Sequence, residues 1–514
     1  MNYLFLAILF APLIVFAVRQ KKWYLVLLMA FTAFLPEQFA IRIHEKLPLL
    51  TASRILIIIT AVFYLLQLWK ERKFKAPIPV LIFVGINLII SLIHLPSDFD
   101  EIKRMFLFIM ERGLVMVMLM NMIASKEEFD SCIDALILGC CAVAVMGIVQ
   151  TVFDYDIAAG LHVLQTPTSI SLSQRMGLTR AYGTFNAISY GCYCAVMILP
   201  IFHRLSTTGK QRYSIAFALN FVALIATFTR SAWLAILGVG ALVFFTRPVK
   251  FLRAIWPGMI LVVVLCFGLT AIQPKFGAAL SETGKSTANT ILAALPDSWF
   301  QDVPDVSVED PTTDTTAPTG ETTSTDPTAE TTPTDPTEET TPAVKHPPQF
   351  ELSEDFGMNA KAPTYSRTFQ WSAVRRMLED GHFLLGYGYN ALSQGQMRFS
   401  HAAWGEGWSV AKILDVGFVA LFGEGGLLSV LSYVGFLAYM CIQALRKRSR
   451  TGAFDYYKMI IFTVLLYVLL NIFAAFANPI LNWLVFGLFF AYEKLDKEGL
   501  LPDLSAEATP KLRF

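Results

Sequence analysis

The residues of this chain equipped for chemistry are arginines and acids placed in or at the ends of apolar runs. Arg230 closes the run Ala226-Thr227-Phe228-Thr229, and Arg367 opens an arginine-bearing segment from Tyr365 to Gly388. Asp415 and Glu424 stand nine residues apart in Asp415-Val-Gly-Phe-Val-Ala-Leu-Phe-Gly-Glu424-Gly425-Gly426. On an unbroken helix that spacing is about 2.5 turns, so the two carboxylates would face opposite sides, Asp415 at the mouth and Glu424 deeper. Ionisable groups inside apolar runs are costly, which makes Glu111, Arg112, Asp134, Arg230, Asp415 and Glu424 informative. For each a structural reading stands beside the functional one. Arg230 binds an anion at a membrane face or snorkels to the interface. Asp415 acts on a substrate or sits as an acid favoured by a helix N-terminus. Glu424 supports a site from behind or is a polar clamp between helices. Glu111 and Arg112 are adjacent, so they point to different sides of a helix and are not a same-face pair.

The elements that must hold these residues are membrane helices. The chain is 55% hydrophobic and 16% charged over 514 residues, well below the charge content of a soluble domain. A net charge of +1 gives no reason to expect nucleic acid. A crossing needs about 20 mostly apolar residues. Candidate spans fall near 2–18, 23–40, 51–69, 77–95, 105–123, 132–153, 184–202, 213–229, 232–246, 255–273, 413–443, 457–476 and 479–493, about 12 or 13 in all. The basic clusters Arg19/Lys21/Lys22, Lys70/Arg72/Lys73/Lys75, Arg204/Lys210/Arg212, Arg247/Lys250/Arg253 and Arg446/Lys447/Arg448/Arg450 alternate correctly if all are cytoplasmic. The N-terminus is then outside with thirteen spans and inside with twelve. The first segment, with no basic residues before it, reads as a retained span.

The long polar interruption, 274–412, is then an extracytoplasmic loop. It separates the helices of 1–175 and 176–273 from those of 413–493, with a cytoplasmic tail at 494–514. Within the loop, 302–345 is rich in Thr, Pro and acids and almost free of apolar residues. It reads as a disordered insert, because it cannot bury enough surface to offset the entropy of ordering. The part from 364 to 412 reads as ordered. Ser366 is a candidate N-cap, Phe369, Trp371, Val374, Met377 and Leu378 repeat at helical spacing, and Gly381 stops the helix. The turn Gly386-Tyr387-Gly388 follows no strand, so it is weak support for a phosphate loop. The seven cysteines lie in or beside apolar runs, with no spacing of a metal site, and read as packing residues. The fold expected is all-α and polytopic, with one large outer loop containing short helices.

Three patches in order resemble the O-antigen ligase/polymerase family of bacterial polysaccharide membrane proteins. They are Arg180-Ala-Tyr-Gly183-Thr184-Phe185-Asn186 before an apolar span; Thr229-Arg230-Ser231-Ala232-Trp233; and Ser366-Arg367 through Trp371, Leu385-Gly386-Tyr387-Gly388, then Asp415 to Gly426. They cover about residues 175–440. The resemblance implies a metal-independent glycosyltransferase, without cofactor, at the outer face of the bacterial cytoplasmic membrane. Its partners would be an undecaprenyl-diphosphate-linked oligosaccharide, a glycan or lipid acceptor, membrane lipids, and flippase and chain-length regulators. It assigns Arg230 and Arg367, with Arg180 as a third, to the diphosphate, since guanidinium groups fork onto phosphate oxygens. Arg367 and Asp415 would act at the reacting centre, and Glu424 would support them. The ligases usually carry histidine where this chain has Asp415, followed by asparagine where it has Val416, so the histidine mechanism does not transfer. His401 is the nearest replacement, and otherwise an interfacial loop histidine. Aspartate at this position also occurs among polymerase-like members, which favours a polymerase over a ligase. A solute or lipid transporter and an outer assembly subunit are the readings from other classes.

Overall fold

In a computed structural model the chain is described over residues 2–34, 40–41, 50–72, 74–96, 100–154, 174–175, 177–183, 187–246, 248–292, 371–388, 398–400, 408–410, 416–448, 454–473 and 480–501. It is mostly helical. The helices are α1 (Asn2–Val18), α2 (Trp23–Phe34), α3 (Ala52–Glu71), α4 (Ile78–His94), α5 (Glu101–Leu107), α6 (Val115–Met122), α7 (Lys126–Phe153), α8 (Ala187–Thr208), α9 (Gln211–Ala226), α10 (Arg230–Thr246), α11 (Pro248–Ile272), α12 (Pro274–Leu292), α13 (Ser372–Glu379), α14 (Gly417–Lys447), α15 (Tyr456–Phe473) and α16 (Ile480–Lys497). A π-helical stretch, Phe108–Leu114, joins α5 to α6 as one continuous rod. Short antiparallel pairs lie between helices: Ala40–Ile41 with Leu50–Thr51, Gln174–Arg175 with Leu178–Thr179, and Arg398–Ser400 with Trp408–Val410.

Among the described residues, five stretches are long and apolar enough to cross a membrane: Ala52–Glu71, Glu101–Met122, Lys126–Phe153, Phe251–Ile272 and Gly417–Lys447. Shorter apolar helices stand among them. Leu65 and Leu66 on α3, Ile82 and Ile89 on α4, and Val264 and Phe267 on α11 turn outward, as side chains facing lipid do. Helix ends follow local chemistry. Ser125 begins α7 and accepts from the Glu128 amide at 3.3 Å, while Glu128 reaches back to the Ala124 amide at 2.8 Å. Inside, α2 and α7 approach through small residues, since a Cβ on Gly139 would stand 2.2 Å from the Ala30 carbonyl oxygen. An aromatic cluster of Phe83, Phe108, Tyr433, Phe436 and Trp483 knits α4, α14 and α16 to the π-helical stretch. Cys132, Cys140, Cys192 and Cys194 are buried in helices, in keeping with packing roles.

Ion pairs tie four of the basic clusters at one end of the bundle. Lys22 meets Glu128, Lys75 meets Glu498, Arg204 meets Asp130 and Asp134, and Lys447 meets Asp496. Asp134, marked in the sequence as an ionisable group inside a span, is therefore charge-compensated there by Arg204 and Arg212.

The structure adds three details to these expectations. The stretch taken as loop from residue 274 begins with a helix, α12, whose buried face is Phe276, Ala279, Thr283 and Thr287. The last helix runs to Lys497, into what was read as tail. The helix after Val416 is not straight: Gly426, at φ +61° and ψ −163°, breaks it. The insert 302–345 and Ser366 lie outside the described residues. The helix expected from an N-cap at Ser366 to a stop at Gly381 is present in shorter form as α13, with Trp371 and not Ser366 at its N-cap and Gly381 at φ +76° just beyond its end.

Candidate functional site

The first two sequence patches meet. After the Gln174–Thr179 hairpin, the chain lays Arg180-Ala-Tyr-Gly183 against the turn between α9 and α10. The Ala181 amide donates to the Ala226 carbonyl at 3.0 Å. Arg180 donates through Nε to the Thr227 carbonyl at 2.7 Å and through Nη2 to Thr229 Oγ1 at 3.0 Å. Gln150 of α7 holds the far end of this loop. Its Oε1 accepts from the Gly183 amide and its Nε2 donates to the Gly183 carbonyl, each at 2.8 Å. Gly183 is at φ +56°, and a Cβ there would stand 2.5 Å from Val143 Cγ1. In the turn itself Phe228 takes φ +49°, Thr227 Oγ1 accepts from the Thr229 amide at 3.2 Å, and Trp233 Nε1 donates to the Leu224 carbonyl at 3.0 Å. Arg230 starts α10, is exposed, and donates to Ser286 Oγ of α12.

The corner is tied to the end of α7 by Asp154, which takes φ +49° and accepts from the Thr179 amide at 2.7 Å. The Thr179 side chain first, then its amide and nearby Lys275, hold the Asp154 carboxyl below its usual pKa against partial burial, which raises it.

The third patch builds a second group around the break in α14. Glu424 lies on α14 within electrostatic reach of Arg104, Arg112 and Glu101. Arg104 Nη1 donates to the Glu424 main-chain carbonyl at 3.0 Å, and its guanidinium is 3.7 Å from Glu101. Glu111 pairs with Arg54 of α3. Arg112 lies 3.7 Å above the Phe108 ring and 5.2 Å from that of Trp483. The expected divergence of Glu111 and Arg112 is thus seen, with the π-helical stretch aiming one at α3 and the other at α16. The Gly386–Gly388 turn docks at the same break, and it follows a helix, not a strand.

Arg180 therefore joins Arg230 at one turn, and Glu424 joins a charged cluster on a different set of helices. Arg367, His401 and Asp415 lie outside the described residues. Arg54, Glu101 and Arg104 were missed by sequence reasoning. A signal existed: Glu101, Arg104, Phe108 and Glu111 recur at spacings of three and four, one face of a helix. No family model, no curated protein and no solved structure matches this chain.

Proposed function

We propose that the protein is a multi-pass membrane glycosyltransferase, working at the outer face of the bacterial cytoplasmic membrane. It joins undecaprenyl-diphosphate-linked oligosaccharide repeats into a surface polysaccharide. The observation that carries this reading is the meeting of Arg180 and Arg230 at one turn, at the end of the bundle away from the basic clusters. With those clusters cytoplasmic, the turn faces outward. Asn2 and Lys497 then fall at opposite ends, which favours the larger of the two span counts.

In the reaction an acceptor hydroxyl oxygen bonds to the anomeric carbon of the donor sugar. The bond from that carbon to the diphosphate oxygen breaks, and the diphosphate leaves with the electron pair. Arg230, with Arg367 and Arg180, would stabilise the charge on the departing group. Asp415 would take the hydroxyl proton, with His401 as the other candidate base. Transport is the less supported reading. Transporters use broken helices whose exposed ends hold substrate, whereas the break in α14 is filled by the chain's own residues 383–387.

The test uses purified protein in liposomes with a native undecaprenyl-diphosphate oligosaccharide. A ladder of lengthening products identifies a polymerase. A single larger product that requires an added acceptor means a ligase. No product from a verified donor moves the assignment to transport or assembly. Arg230→Ala and Arg367→Ala should each slow transfer at least about tenfold, the loss of one charge-assisted contact of about 1.5–3 kcal/mol. Full activity in both variants would remove the diphosphate site.

A further inference from the structure

A helix interrupted inside a membrane leaves amide and carbonyl groups that lipid cannot satisfy. The break at Gly426 leaves such groups on both sides, and four hydrogen bonds from elsewhere in the chain take them up. The Leu427 amide donates to the Phe383 carbonyl at 2.8 Å, and the Leu428 amide to the Leu384 carbonyl at 3.2 Å. The Tyr387 amide donates to the Gly423 carbonyl at 2.8 Å. The remaining partner is a side chain, Arg104 Nη1, on the Glu424 carbonyl at 3.0 Å.

Glycines make the approach possible. A Cβ on Gly386 would stand 2.7 Å from the amide nitrogens of both Gly425 and Gly426. One on Gly426 would stand 2.4 Å from the Leu384 carbonyl, and one on Gly425 would stand 2.6 Å from Arg104 Nη2. The corner between α4 and α5 grips the same segment. His94 Nε2 is 3.0 Å from the Leu385 carbonyl, and Glu101 Oε1 would stand 2.9 Å from a Cβ on Gly388.

Arg104 is only 2% exposed, and its Nε has no hydrogen-bond partner among the described residues. Burying a guanidinium is costly unless its charge is used. Here it faces the carbonyl end of a half-helix, where a cation is favoured.

We propose that Arg104 is a positioning residue. It holds the broken backbone of α14 in the form that receives Phe383–Tyr387, and so fixes the outer segment over the bundle. This rests on the proposed function in one respect: the segment continues N-terminally to Arg367, assigned above to the donor diphosphate. Arg104 thereby sets donor binding without touching the donor.

Two readouts on the full-length protein test this. Hydrogen exchange should rise about tenfold or more in Arg104→Leu for peptides covering 383–388 and 426–430, with peptides of α7 unchanged. Arg104→Lys should restore much of the protection, since an ammonium still reaches a carbonyl as a donor. In the transfer assay the donor KM should rise by about tenfold, with kcat changed less, because a loosened site loses binding before chemistry. A folded Arg104→Leu that exchanges like wild type at both peptides overturns the proposal. So does a fall in kcat at unchanged KM, the mark of fewer folded molecules. If Arg104→Leu does not fold, Gly386→Ala takes its place. It obstructs the same docking from the outer segment and leaves α5 untouched, and wild-type exchange there would sink the idea. Should wild type make no glycan product, the transferase reading falls while the exchange readout still decides the role of Arg104.

Discussion

Single residues at the corner between α9 and α10 work by fixing main chain. Arg180 spends two donors on the Thr227–Thr229 turn, and Asp154 holds the Thr179 amide. Because the Asp154 carboxyl titrates below its usual pKa, the corner gains stability above that usual value and loses it as pH falls through the lowered one. Exchange at the Thr179 amide should therefore be slow near neutrality and speed up in the acid range after correction for intrinsic rates. Asp154→Asn, which keeps an acceptor but loses the charge, should flatten that dependence. An unchanged pH profile in the variant would show that the carboxylate is not the cause. Arg230 was legible in the sequence, because a charge at the end of an apolar run stands out against its neighbours, whereas Arg180 stood out only through the family resemblance. Arg54 was not legible, and Arg104 was legible only as one of a spaced series on one helix face. Each reads as a flank of a span, and only the fold shows that Glu111 and Glu424 come to meet them.

Elements were legible where one physical rule dominates. The apolar runs became helices because the bilayer demands internally paired backbone, and observed ends lie close to the expected ones. Helix α12 escaped notice because its buried face mixes Phe276 and Ala279 with Thr283 and Thr287 and makes no apolar run. The break in α14 escaped for another reason. Gly425-Gly426 permits it, but the partners that stabilise it lie about 40 residues upstream, in 383–387, and 320 residues upstream, at Arg104, and leave no local trace. The contact of α2 with α7 belongs to the same scale. Gly139→Ala places a methyl against the Ala30 carbonyl and should lower thermal stability in detergent, at a cost of about 1–3 kcal/mol for overpacking. Gly238→Ala in α10, where a Cβ meets nothing within 4 Å, should be neutral or stabilising by up to about 1 kcal/mol. Equal melting temperatures for the two variants would contradict the close approach of α2 and α7.

At the scale of the molecule, the sorting of charge was legible in the amino-acid order. Lys and Arg clusters fall at alternate connections, and the fold draws several of them together through Glu128, Asp130, Asp134, Asp496 and Glu498. The two ends should differ in accessibility in intact cells. A membrane-impermeant thiol reagent should label Glu379→Cys on exposed α13 and spare Lys210→Cys at the start of α9, with wild type as the background for the native thiols. Labelling of Lys210→Cys alone would invert the orientation and with it the outward site. What the whole chain does chemically was not legible at this scale, since the sorting rule orients helices and gives no role to Arg367, His401 or Asp415.

The filled break in α14 also constrains how the protein is made. Phe383–Tyr387 precede α14 in the sequence, so they leave the ribosome first. In an outward-facing arrangement they have already crossed when α14 enters the bilayer. The helix can then insert as an uninterrupted rod, with its own amides and carbonyls paired, and open at Gly426 only when the waiting segment offers replacements. Biogenesis would thus end in an exchange of main-chain partners, helical ones for those of the docked segment, as a late step separate from insertion.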